Sequence, residues 1–243
     1  MDPRTCIIVG AGEGLGRSLA AAFAAKGFAI ALVSRTEKGS AAAAEAARAA
    51  NPAAKVRFFA GDATQPPALE AAIARADAEM GGCDVLIYNA RGDLRYKQPL
   101  QIEYDELRAI LEVEVAGALA AAKAVMPGMI EKQRGTVIFS SATAAFRGSA
   151  SNALYAIGKF GLRALAQSLA KAYAKSGVHV VHVRLDCALD VPIVRKMMGA
   201  KFDPRNAAST DDVAQTYVWV AEQPKSAWSN EVELRPFTED WTY

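Results

Sequence analysis

Short apolar runs recur along the chain at residues 5–9, 28–33, 56–59, 85–88, 136–139, 178–185 and 231–234. Most are apolar at consecutive positions rather than at every second one, the pattern of strands covered on both faces. Between them lie alanine-rich stretches over residues 15–26, 37–50, 66–80, 103–131, 152–176 and 210–223, which read as helices. This alternation predicts right-handed βαβ units, hence an α/β fold with one parallel sheet and helices on both sides. No shift in composition marks a second domain, so residues 1–243 read as one unit. Residues 190–209 break the pattern with two prolines, the adjacent Met197 and Met198, and Phe202. An irregular insert after a strand is expected to act as a substrate lid. Residues 236–243 read as a tail carrying Trp241 and Tyr243, two aromatics that need cover.

Composition narrows the class. At 52% hydrophobic and 22% charged residues the chain is an ordinary globular one, and extensive disorder is excluded. The net charge of +2 is spread without a stripe or tail, so nucleic acid is not an expected partner. Lys26, Glu45 and Arg48 interrupt the alanine-rich stretches, and no membrane span is expected. The first residues lack a signal-peptide pattern. Three cysteines without CxxC spacing rule out a disulfide framework and point to a reducing, cytoplasmic setting. His179 and His182 are the only histidines, they fall in one apolar run, and they read as satisfied structural residues. No metal site is expected.

The first apolar run leads directly into Gly10-Ala11-Gly12-Glu13-Gly14-Leu15-Gly16, and a helix follows. Glycines permit positive φ and close backbone approach to a pyrophosphate. The helix N-terminus then offers free N–H groups to the phosphates. This βα placement makes Gly10, Gly12, Glu13, Gly14, Leu15 and Gly16 a candidate dinucleotide site. At the tip of the second run, where a carboxylate would bond the ribose 2′-OH of NAD, stand Ser34 and Arg35. A guanidinium suits a 2′-phosphate, so NADP(H) is favoured over NAD(H).

The glycine loop, Gly61-Asp62-Ala63 after the third run, Tyr88-Asn89-Ala90 after the fourth, and Tyr155-Ala156-Ile157-Gly158-Lys159 in the fifth helix together resemble the short-chain dehydrogenase/reductase family. The resemblance covers nearly the whole chain in order. It implies a single Rossmann-type, doubly wound domain with a seven-stranded parallel sheet and a bound NAD(P)(H). Asp62 and Ala63 would flank the adenine, Asn89 and Ala90 would line the ribose side, and Arg91 would lie at the rim of the cofactor pocket, as would Asp186, each placed to contact a polar substrate or to pair with surface neighbours. Tyr155 and Lys159, one helical turn apart, share a face. A lysine ammonium favours the phenolate, so Tyr155 can exchange a proton with a carbonyl or alcohol oxygen. The family also pairs subunits through its fourth and fifth helices. Here these carry Ala116, Gly117, Ala118, Ala164, Ala166 and Ala170, which implies a homodimer or homotetramer.

Five positions depart from the family motifs. The serine that bonds the substrate carbonyl falls in register at Ala142, between Ser141 and Thr143, and a small backbone shift would be needed to bring either neighbour in. The asparagine of the long fourth helix falls at Glu114, where a carboxylate can pair with Lys159 directly. Arg91 replaces a glycine, and Asp186-Cys187 replaces Pro-Gly. The candidate catalytic set is therefore Tyr155, Lys159, Ser141 and Glu114. Two functions follow. One is an NADP(H)-dependent oxidoreductase acting on a small-molecule carbonyl/alcohol pair. The other is a catalytically weak dinucleotide-binding sensor or scaffold, suggested by the joint loss of serine and asparagine.

Overall fold

The computed structural model describes residues 3–238. The expectation for Trp241 and Tyr243 lies outside the described residues. Seven strands form one parallel sheet: β1 (Thr5–Val9), β2 (Ala29–Ser34), β3 (Val56–Ala60), β4 (Cys83–Tyr88), β5 (Gly135–Ala142), β6 (Val178–Leu185), and an edge strand, called β9 below, at Glu231–Leu234. Their order across the sheet is β3-β2-β1-β4-β5-β6-β9. The direction of winding reverses between β1 and β4, where doubly wound sheets open a crevice.

Alternation of side chains sends successive residues of one strand into different cores. Ile7 and Val9 face a layer built by α3 (Pro66–Met80), α5 (Gly117–Glu131) and α6 (Ala153–Tyr173). Cys6 and Ile8 face the opposite layer of α1 (Leu15–Ala25), α2 (Glu37–Ala50) and α8 (Thr210–Ala221). Both layers are apolar, which is why these strands read as near-continuous hydrophobic runs.

Two stretches differ from expectation. The helix expected over residues 103–131 is divided into α4 (Tyr104–Leu111), a π-helical turn at Glu112–Ala116, and α5. The buried Tyr88 hydroxyl of β4, in the same layer, donates to Val113 O inside this turn at 2.5 Å. A Cβ on Gly117 would stand 2.5 Å from the same hydroxyl, so the turn needs glycine there. Such π-turns concentrate at functional sites. Residues 190–209 are more ordered than an irregular insert. They contain α7 (Pro192–Met198) and are bracketed by a two-stranded parallel ladder, β7 (Ala188–Leu189) with β8 (Ala207–Ala208).

The histidines require a second correction. Both are buried, and each keeps a ring nitrogen without a partner among the described residues. His179 contacts Ser229 O through Nε2 at 2.9 Å and stacks on Trp228, while its Nδ1 has no partner among the described residues. Nε2 of His182 likewise has none. Burial pushes the His182 pKa down to about 4. Among the described residues no helix is long and apolar enough to cross a membrane, and no group of three His, Cys, Asp or Glu is placed to hold a metal.

Candidate active site

Because the sheet is parallel, the C-terminal ends of its strands share one edge, and the loops beyond them converge there. Gly10 leaves β1 at φ +83, and a Cβ on it would stand 2.5 Å from Ala90 N. Only glycine lets the β1 and β4 loops close to this distance. The contact is fixed by Asn89, whose backbone N–H donates to Val9 O at 2.8 Å and whose Nδ2 donates to Gly10 O at 3.1 Å. Gly16 packs against its own loop, with a Cβ falling 2.8 Å from Ala11 Cα. Gly12 faces open space, with nothing within 4 Å of an added Cβ. The α1 N-terminus at Gly14 has no side-chain cap. Its free N–H groups and the open approach at Gly12 fit a pyrophosphate. Leu15 is buried in the core beneath this loop, and Glu13 is exposed above it. A Cβ on Gly14 would meet Val191 at 3.4 Å, so the start of the 190–209 segment closes one side of the loop.

At the tip of β2 the half-buried Ser34 hydroxyl donates to Thr36 O at 2.8 Å, and Arg35 is exposed. Neither Ser34 nor Arg35, the two residues at this tip, is a carboxylate. Asp62, after β3, holds its own loop by accepting from Thr64 N and Thr64 Oγ1, both at 2.9 Å. Ala63 packs partly buried against the core.

The catalytic end is built on side chains. Lys159 is 2% exposed and Glu114 0%. Their charged groups meet at 2.8 Å, as an ion pair rather than a well-aligned hydrogen bond to Oε2. Lys159 Nζ also donates to Ser140 O at 3.2 Å and stands 5.5 Å from the centre of the Tyr155 ring. Glu114 Oε1 accepts from Gly92 N at 2.9 Å. Burial favours the neutral lysine, but the Glu114 carboxylate and Tyr155 outweigh burial and hold the ammonium above its ordinary range, against the opposing Arg91. Gly158 makes room for this pair, since a Cβ there would lie 2.8 Å from Glu114 Cγ. The π-turn carries Glu114, so the inward carboxylate and the irregular helix form one arrangement.

The three residues around the missing serine separate clearly. Ala142 is half-buried at the end of β5 and offers no donor. Ser141 is 4% exposed, and its Oγ is sealed within the protein without a partner among the described residues. The structure therefore does not bring Ser141 to the open edge. Alternation along β5 puts it on the face of Phe139, toward the layer of α5 and α6. Thr143 is half-buried beside Ala142, and its hydroxyl donates to Asp186 Oδ1. Asp186 in turn pairs with Arg235. Burial favours the protonated acid, but the Thr143 and Arg235 bonds prevail and hold its carboxyl below the usual range. Sequence reading missed Gly92, Gly158 and the Thr143–Asp186 contact. Only the glycine of the Tyr-Ala-Ile-Gly-Lys segment carried a signal, in its small size.

This arrangement matches known proteins along the whole chain. The profile of the family described as short chain dehydrogenase matches residues 4–196. An uncharacterized oxidoreductase of Staphylococcus aureus (strain MRSA252) is 26% identical over 240 residues, covering 97% of this chain and 98% of that protein. Another, from Myxococcus xanthus (strain DK1622), is 33% identical over 180 residues, 74% of this chain and 70% of the relative. A metagenomic short-chain oxidoreductase solved in complex with NADP superposes with a TM-score of 0.82 at 25% identity, over 96% of this chain and 97% of that one. Levodione reductase shares the fold, with a TM-score of 0.87 at 21% identity over 96% of both chains. With its sheet order, its glycine loop and its buried lysine beneath Tyr155, this chain belongs to the short chain dehydrogenase family of oxidoreductases.

Proposed function

We propose that the chain interconverts a small-molecule carbonyl and its alcohol with NADP(H), using Tyr155 as the acid and base. The observation that carries this reading is Tyr155 standing, half-buried, 5.5 Å above a buried ammonium at the crevice edge. Bound NADP(H) would supply or accept the hydride. Gly12, Gly14 and the free α1 N–H groups would hold its phosphates, Arg35 its 2′-phosphate, and Asp62, Ala63, Asn89 and Ala90 its ribose and adenine side.

Tyr155 gives its hydroxyl proton to the carbonyl oxygen as that oxygen becomes negative. Lys159 steadies the resulting phenolate. Glu114 keeps Lys159 protonated and fixed, at the cost of part of its field on Tyr155. Ser141 is sealed and Thr143 donates to Asp186, so neither neighbour of Ala142 competes with Tyr155 as donor to the oxygen. Met197 and Ile193, both exposed on α7, supply the apolar side of a lid over the substrate. The exposed apolar Leu119, Ile157 and Phe160 on the outer face of α5 and α6 support assembly as a homodimer or homotetramer.

The test is NADPH oxidation with a panel of aldehydes, ketones and quinones. Tyr155→Phe is expected to lower kcat/KM by about 10²–10⁴-fold, the usual worth of a positioned acid. Ala142→Ser restores a donor at the oxyanion and is expected to raise turnover of an activated ketone about tenfold or more. Unchanged turnover in Tyr155→Phe would remove the tyrosine from the reaction.

A further inference from the structure

Two departures from the family motifs bring charge to the mouth of the crevice, and the structure treats them differently. Asp186 is already engaged on both oxygens, by Thr143 and by Arg235. Arg91 is exposed, and its Nη1 donates to the adjacent Gly92 carbonyl at a long 3.4 Å. Two other arginines of the segments that follow β4 and β6 are paired, Arg95 with Glu106 at 3.2 Å and Arg195 with Asp190 at 2.5 Å.

The backbone of Arg91 is anchored on both sides. Asn89 ties the chain to Val9 and Gly10, and Gly92 N is held by Glu114 Oε1. Its position is thus set between the glycine loop and the Lys159–Glu114 pair. That pair is internally neutral, and Arg91 has no ion-pair partner among the described residues. Arg91 also stands close enough to Lys159 to oppose its protonation. The pyrophosphate already has the backbone donors of the α1 N-terminus. A planar guanidinium matches the two oxygens of a carboxylate, and such bonds strengthen when partly withdrawn from water.

We propose that Arg91 receives the carboxylate of an oxo-acid or hydroxy-acid substrate. This rests on the carbonyl/alcohol reading of the same site and narrows its substrate class.

The experiment is calorimetric titration of the protein saturated with NADP+. The probes are oxo acids with the ketone one to four carbons from the carboxylate, each beside its methyl ester. At least one acid is expected to bind roughly tenfold or more tightly than its ester, a difference of one good charged pair. Arg91→Gln should abolish that preference, and Arg91→Lys should retain part of it. Binding is read without turnover. An acid preference that depends on Arg91 in a protein that reduces nothing would therefore support this assignment while failing the reaction. If NADP+ does not bind, the cofactor reading fails first, and the acid–ester comparison is made on the protein alone. Equal binding of acids and esters throughout would overturn the proposal, as would an acid preference that survives in Arg91→Gln. So would an Arg91→Gln variant whose sole defect is weaker NADPH binding, which would give the anion to the cofactor.

Discussion

The nucleotide half of the crevice, over β1 to β3, and the catalytic half, over β4 to β6, are built on different principles. The first works through backbone: glycines that permit close approach, a helix terminus with free N–H groups, and small residues at the strand tips. The second works through buried charge. Lys159, Glu114 and Asp186 all lie at or below 9% exposure, each satisfied by partners from other elements. A backbone site tolerates sequence change as long as its glycines remain. A charged site must change in concert, because a single buried charge without its partner is costly. The departures from the family pattern at Ala142, Glu114, Arg91 and Asp186 all fall in the catalytic half. The glycine spacing of the nucleotide half is intact.

The most severe way to break this contrast is to remove one charge of the buried pair. Glu114→Leu leaves Lys159 unpaired in the core, beside a π-turn shaped around the carboxylate. Urea unfolding is expected to show a loss of about 3–5 kcal/mol. A loss below about 1 kcal/mol would show that Lys159 is hydrated or neutral in the native protein.

The pH dependence of stability sharpens the same contrast, because the catalytic half also holds His182. Its pKa falls from the usual 6.5 to about 4. Burial is the main cause, with Arg163, Lys159 and Arg184 adding to it and Glu231 opposing. The unfolded chain takes up a proton below pH 6.5 that the folded chain refuses until about pH 4. Stability from this residue is therefore complete above pH 6.5 and is lost as pH falls. The loss reaches roughly 3 kcal/mol by pH 4. His182→Gln should flatten the decline between pH 7.5 and 4, measured by urea unfolding at each pH. An unaltered slope would place the acid sensitivity elsewhere.

The smallest expected effect lies in the nucleotide half. NADPH should bind about tenfold more tightly than NADH if Arg35 makes one good bond to the 2′-phosphate. Arg35→Asp should erase or reverse the preference in a fluorescence titration. Equal affinities in the unaltered protein would leave the β2 tip without a role in cofactor choice.

The sequence alone determined the alternation of strand and helix, the two-sided burial of the sheet and the glycine loop. These depend on local periodicity and on backbone freedom, which neighbouring residues set. It also brought Tyr155 and Lys159 onto one helix face, since four residues make about one turn. It located Glu114 as a departure and allowed its pairing with Lys159. The tertiary structure decided that the pair forms, because Gly158, from another helix, leaves the space that the Glu114 side chain fills. It also decided between the neighbours of Ala142. One is sealed in the sheet and the other is bound to Asp186, and the packing of β5 against β6 and α6 governs that outcome. Local pattern fixes which residues can form an element. Which atoms then meet depends on contacts between distant segments, and no short window of sequence contains them.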